Sequence, residues 1–316
     1  VAQSNDPWLT GSEFRQQAVA AQAIAAGTLP DPMMDIGLAN LPTDSYDFDQ
    51  EAMTQFKVGV VQTIPRGDSL ALDQRRLHRL EEQFPHQRDE RRARLAVNVT
   101  RLWLEAWRAR ESIRLIEQDR ALFEQLVDVA ESSYASTAGR TRQQDLVRAQ
   151  LELTRLEDRL SMLHERMEMA RSELGEWLPP SVYGAAELAA QLPEIQLEHL
   201  TLFAQGGAAA PADIAALIAN HPALLSIDSR IDASRVGEAL AKQKYLPEWK
   251  VNASYGYREN SPTGQDRADF FSVGLAFDLP LFTSRRQDQQ LQSAIADTEA
   301  IRTEKMLALR NMVANF

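Results

Sequence analysis

The side chains able to do chemistry are few and scattered. The five histidines, His78, His86, His164, His199 and His221, share no metal-ligand spacing, and no glycine-rich phosphate loop follows a strand-like run. The absence of cysteine removes disulfides, thiolate metal sites and a cysteine nucleophile, and leaves the redox compartment undecided. Met162, His164, Met167 and Met169 carry donors that suit Cu(I). Met167 belongs to an apolar seam, however, and the others lie around a helix, so core filling and surface scatter are the preferred reading. Met33-Met34 opens a strand-like run and reads as packing. Glu81-Glu82 and Asp89-Glu90 fall on charged helical stretches, where a solvated face is the default. One polar cluster holds a special place: Gly139, Arg140, Thr141, Arg142 and Asp145 sit at the turn between two long periodic segments. Such a set offers no reaction and no cofactor or metal site, so the chain reads as a non-enzyme.

Those periodic segments are the elements that position the cluster. Leu95, Val99, Leu102, Ala106, Ala109, Ile113 and Ile116 step by four and three, and Phe123, Val127, Ala130 and Tyr134 resume the series. Leu146, Ala149, Leu153, Leu156, Leu160, Leu163, Met167, Ala170, Leu174 and Trp177 return at the same spacing. A sustained 3.5-residue apolar repeat is a coiled-coil seam, because only that period keeps one stripe facing a partner. Arms of roughly 40 and 30 residues give a rod about 50–60 Å long. A narrow seam leaves most of each helix exposed, so the rod must pack sideways against something.

Bulk properties narrow the classes further. With 316 residues there is room for one large domain or two. A net charge of −11 argues against nucleic acid as a partner. No apolar run is long enough for a membrane-spanning helix, although barrel strands would escape that test. Val1-Ala-Gln-Ser-Asn5 is not a signal segment, which fits either a cytoplasmic protein or a mature or trimmed form.

The chain also repeats itself. One ungapped shift lays Asn5, Pro7 and Leu9 on Asn220, Pro222 and Leu224, and Arg15 on Arg230. It continues with Pro32 on Pro247, Phe56 on Phe271, Val58-Gly59 on Val273-Gly274, Pro65 on Pro280 and Asp73-Gln74 on Asp288-Gln289. Each copy reads as a helix after Asn-x-Pro, two short strands, a second proline and a polar heptad helix. The expected divisions are a helix over 1–28, a strand pair over 29–66, and a helical hairpin over 67–177 with its tip near 135–145. A connecting segment over 178–220, a helix over 221–246, a strand pair over 247–282 and the start of a second hairpin over 283–316 follow. By the repeat, Phe316 answers to Arg101, so the sequence is expected to stop in mid-helix, with a second hairpin beyond it. Pro85 falls within the first hairpin and should kink or interrupt the helix there.

The strands alternate strictly. Met34, Ile36, Val58, Val60, Trp249, Val251, Tyr255, Tyr257, Phe271, Val273 and Phe277 fall on the apolar side, with Gln62 the one polar intruder. Strands of this length, apolar on one face with aromatics near the ends and polar on the other, suit a transmembrane barrel with a wet interior. The alternative is a soluble antiparallel sheet with one solvated face. Four strands are too few to close a barrel, for which about eight is the working minimum. Two copies would supply eight strands and three would supply twelve.

Helix, strand pair, long hairpin and the same again resembles the TolC-type outer membrane factor family, the outer membrane efflux proteins. The segments that carry the resemblance are Leu29-Pro-Asp-Pro32, Val58 to Gly67, Val273 to Phe282, and the tip Ala138-Gly-Arg140 with Asp145 to Gln150. Pro-Asp-Pro and Ile-Pro-Arg-Gly-Asp68 look closest to the heavy-metal branch, CzcC- and CusC-like. The resemblance implies an α+β membrane protein with long antiparallel coiled-coil helices and four transmembrane β-strands per chain. As a homotrimer these would complete a β-barrel in outer membrane lipid and an α-helical tunnel in the periplasm of a Gram-negative bacterium. A periplasmic adaptor (membrane fusion) protein and an inner-membrane pump of the resistance-nodulation-division type are the implied partners. Gly139, Arg140, Thr141, Arg142 and Asp145 would then gate the tunnel mouth or dock the adaptor; a merely solvated turn would contribute about 0–1 kcal/mol per ion pair. The rival readings are a periplasmic adaptor, or a structural coiled-coil protein that binds a partner at its tip. The adaptor should lack the duplication. The coiled-coil protein must explain an uncovered apolar strand face.

Overall fold

A computed structural model describes residues 1–135, 143–179 and 218–314. They fall into two compact units, one built from residues 1–11, 88–135 and 143–179, the other from 12–87 and 218–314. No helix among the described residues is long and apolar enough to cross a membrane.

The first unit is the hairpin. Helix α3 covers Gln83–Ala135 and α4 covers Gln143–Trp177. Leu95, Leu102, Ala106, Ala109 and Ile113 of α3 are buried, as are Ala149, Leu160, Ala170 and Leu174 of α4. Burial fades along α3, where Ile116, Phe123, Val127 and Ala130 are half-buried and Tyr134 is 51% exposed. Tyr134 is therefore not a seam residue. At the other end, Arg91 joins three segments of the unit. It pairs with Asp6 at 2.7 Å and lies 5.8 Å from the ring of Trp8 and 5.2 Å from that of Trp177.

Pro85 acts differently from an interior kink. Helix α2, Ser69–Glu81, ends at Glu82, and α3 starts afresh at Gln83. The proline thus stands third in a new helix, where its missing N–H is one of those without an intrahelical partner anyway. The corresponding helix of the second copy, α6 (Gln287–Ala314), has no proline and runs unbroken through the matching position.

The second unit holds the sheet and the helices around it. Helix α1 is Pro7–Ala26 and α5 is Pro222–Gln243. Both begin alike: Asp6 accepts from the Trp8 N–H at 3.0 Å, and His221 from the Ala223 N–H at 3.2 Å, each before a first-turn proline. Strands β1 (Met33–Ala39), β2 (Gln55–Ile64), β3 (Trp249–Tyr257) and β4 (Phe270–Phe277) form one antiparallel sheet in the order β1-β2-β3-β4. Helix α5 packs against both α2 and α6. Small residues let α6 approach, since Ser234 and Thr298 hydroxyls meet at 2.9 Å and Thr298 is fully buried. Charge pairs flank that contact, Arg230 with Glu304 at 2.9 Å and Lys305 with Asp228 at 2.6 Å.

Candidate functional site

The register of the sheet decides which side chains share a face. Met34 lies opposite Val60, and Ile36 opposite Val58. Across the next ladder Val58 faces Tyr255, Phe56 faces Tyr257, Gln62 faces Val251 and Ile64 faces Trp249. Across the last, Trp249 faces Phe277, Val251 faces Leu275, Ala253 faces Val273 and Tyr255 faces Phe271. Residues directly opposite in a ladder project to the same side, so all eleven apolar residues singled out from the alternation stand together. Leu38, Phe56, Ile64 and Leu275 join them through the same alternation. The two strand pairs are offset by two residues: Val251 faces Leu275, whereas their counterparts would be Ile36 with Val60. An even offset leaves every side chain on its own face, and an odd one would have turned a whole strand over.

This face is open. Phe271 is 71% and Val273 is 67% exposed, and Met34, Ile36, Leu38, Tyr255, Leu275 and Phe277 are exposed as well. Aromatic rings mark both ends: Tyr255, Tyr257, Phe56 and Phe271 at the loop end, Trp249 and Phe277 in contact at 4.7 Å at the helix end. At about 3.3 Å per residue, Trp249 and Tyr255 stand about 20 Å apart along β3. Gln62 does not leave its amide unpaired on this face, for it donates to the Pro30 and Thr63 carbonyls, both at 2.9 Å. Among the described residues β1 pairs only with β2, and β4 only with β3, so each outer edge carries free backbone groups.

The opposite face is polar, with Asp35, Lys57, Thr63, Lys250, Asn252, Ser254 and Ser272. Glycines there lie beneath polar side chains, Gly59 under Asp35, Gly256 under Gln55 and Gly274 under Asn252. Phe270 is covered by the Arg258 guanidinium at 3.8 Å. The two strand-connecting loops are stapled together by arginines that donate to backbone carbonyls: Arg258 to Ala52 at 3.0 Å, Arg267 to Asp49 at 2.9 Å. At the helix end Arg66 donates to the Leu246 carbonyl at 2.8 Å and pairs with Asp278. Asp278 also accepts the Glu248 N–H at 2.7 Å, and that bond, with Arg66 beside it, holds its carboxyl below the usual carboxylate range. No local spacing announces these arginines, because their partners lie far away in sequence.

Of the tip residues, Gly139, Arg140, Thr141 and Arg142 lie outside the described residues; Asp145 stands in the first turn of α4. The methionine–histidine set is spread over α4, with Met162 and Met169 exposed and Met167 half-buried. His164 Nδ1 is bonded to the Leu160 carbonyl at 2.8 Å. The adjacent carboxylates are all engaged, Glu82 by Arg79, Asp89 by Arg92 and Glu90 by Arg94 on their own helices, and Glu81 by Gln16 of α1. A groove between α3 and α4 is lined by Arg108, Ser112, Arg159, Arg166, Met169 and Glu173 among others.

No protein-family model matches the chain, and no curated protein does. Solved structures do match, over 98% of the chain. The outer-membrane channel OprN superposes with a TM-score of 0.73 at 16% identity, over 70% of its own length. CusC, whose structures describe transmembrane channel formation, gives 0.72 at 12% over 71%. The outer membrane protein VceC from Vibrio cholerae gives 0.72 at 15% over 74%. The chain therefore has the TolC-like outer membrane channel fold, helix-rich with one four-stranded antiparallel sheet and long helices.

Proposed function

We propose that this chain is the channel subunit of a tripartite efflux system, a passive exit duct through the outer membrane. The observation that carries this reading is the sheet. Its register gathers the large apolar side chains of four strands on one exposed face, and among the described residues both edges are unpaired. A lipid-facing surface and neighbouring copies satisfy both conditions at once. Three copies, joined β4 to β1, give twelve strands and a closed ring through a heterologous interface. The apolar face then meets lipid, and the polar face with Asp35, Lys57 and Lys250 lines the lumen. The work is done by geometry, with no chemical step.

By the same reading the hairpin extends into the periplasm and its end meets a periplasmic adaptor, which links it to an inner-membrane pump. Gly139, Arg140, Thr141, Arg142 and Asp145 are the proposed gating and docking residues. Heavy-metal cations are the proposed cargo, supported by the Pro-Asp-Pro32 and Ile-Pro-Arg-Gly-Asp68 wording. The test of assembly is the mass of the detergent-solubilised full-length protein. Three chains per particle support the duct, and a single chain that stays dispersed without detergent refutes it. For the tip, Asp145→Lys is expected to change leak or adaptor capture; identical behaviour of the variant and the parent would remove Asp145 from the site.

A further inference from the structure

The two copies of the repeat differ where strand passes into helix. In the first copy the turn after β2 reads Ile64-Pro-Arg-Gly-Asp-Ser-Leu-Ala71, and its one arginine is used internally, on Leu246 and Asp278. In the second copy the turn after β4 reads Leu279-Pro-Leu-Phe-Thr-Ser-Arg-Arg286. Leu281 and Phe282 stand where Arg66 and Gly67 stand, and Arg285 and Arg286 replace Leu70 and Ala71. The Leu281 N–H donates to the Leu279 carbonyl at 2.8 Å, a three-residue turn about Pro280. Beyond it Leu281 is 73% and Phe282 81% exposed, the latter the most exposed large apolar side chain among the described residues. Arg285 and Arg286 are exposed too, and neither side chain has an ion pair or hydrogen bond among the described residues. The nearest carboxylate in sequence, Asp288, is occupied by the Tyr245 hydroxyl at 2.5 Å.

An apolar pair left exposed by the described residues, one short turn from two guanidinium groups without partners among them, is the arrangement that suits a bilayer boundary. Aromatic and aliphatic side chains sit at the level where acyl chains begin, and arginine forks take phosphate oxygens in pairs. The turn lies at the helix end of the apolar face, beside the Trp249–Phe277 contact. We propose that Leu279–Arg286 anchors the chain to the membrane leaflet nearest the helices. Leu281 and Phe282 enter its acyl boundary, and Arg285 and Arg286 hold the phosphate of anionic phospholipid. The proposal rests on the membrane reading of the sheet.

The sequence contains no cysteine, so one introduced cysteine reports alone in this chain. Val273→Cys and Phe282→Cys are each labelled with a nitroxide in the full-length assembly, reconstituted into phosphatidylethanolamine–phosphatidylglycerol vesicles. Relaxation by oxygen, which partitions into lipid, is compared with relaxation by a water-soluble nickel chelate. The expected result is an oxygen-dominated signal at both sites, with the Phe282→Cys label shallower. A nickel-dominated label at Val273→Cys would refute the membrane reading itself. An oxygen-dominated label there, with a label at Phe282→Cys reached by nickel or by neither reagent, would overturn the anchor alone; the last outcome assigns the turn to a contact between copies. In the same vesicles, Arg285→Gln with Arg286→Gln is expected to lower the phosphatidylglycerol retained on solubilisation several-fold. Unchanged retention would overturn the phosphate contact.

Discussion

The hairpin seam and the apolar sheet face are both periodic stripes of aliphatic and aromatic residues, and their fates differ. In the hairpin the stripe is covered by the chain itself: Leu102 is 3% exposed against its partner helix. In the sheet Phe271 and Val273 are left open by the described residues. Hydrophobicity alone does not distinguish the two; the presence of a facing element does. The seam therefore contributes to folding of the single chain, while the sheet face becomes useful only when something from outside covers it.

That contrast can be broken experimentally. The largest expected effect is on the seam: Leu102→Ala should cost about 2–5 kcal/mol in denaturant unfolding followed by the helical signal. Phe271→Ala in detergent should cost far less, and equal losses would erase the distinction. Next, Val251→Arg on the sheet face should cost about 2–4 kcal/mol for folding into vesicles. Ser272→Arg on the polar face should cost little in the same assay. Smaller again is Arg66→Ala, which frees Asp278 and should lower the midpoint of a thermal melt only slightly, since the pair is partly exposed. Arg66→Lys should restore only part of it, because one ammonium nitrogen would have to reach both the Leu246 carbonyl and the Asp278 carboxylate, which two separate guanidinium nitrogens now reach.

The smallest effect is one of pH in the hairpin unit. Burial pushes the Asp6 carboxyl up, but the Arg91 and Trp8 hydrogen bonds and the Arg91 charge more than offset this and leave it below its ordinary 3.8. Its contribution is therefore complete above the ordinary carboxylate value and disappears as the pH falls through the lowered one. Asp6→Asn should flatten the acid end of the stability profile by lowering stability at neutral pH, so that the variant and the parent converge as the pH falls through the lowered value. An acid profile identical to the parent's would assign the sensitivity elsewhere.

How much of this was legible depended on whether the signal was local. Period-two alternation identified the face from Met34 to Phe277, and the Asn-x-Pro openings marked α1 and α5. The ladder offset of two residues was invisible, because every even register keeps the same alternation. Pro85 signalled a break but not its place, since the helix had ended at Glu82 and restarted. Spacing places Tyr134 in the seam, but it stands 51% exposed next to the tip. The Asp6–Arg91–Trp177 and Arg66–Asp278 contacts join residues remote in sequence, and no spacing rule reports them.

The central claim is that the uncovered sheet face is completed by copies of the chain and by lipid into an open duct. Conductance of the full-length protein in a planar bilayer tests it most directly. Steady unitary currents, appearing less often with the Val251→Arg variant, are the predicted result. A protein that binds the bilayer, or stays in solution, without passing current would contradict the account.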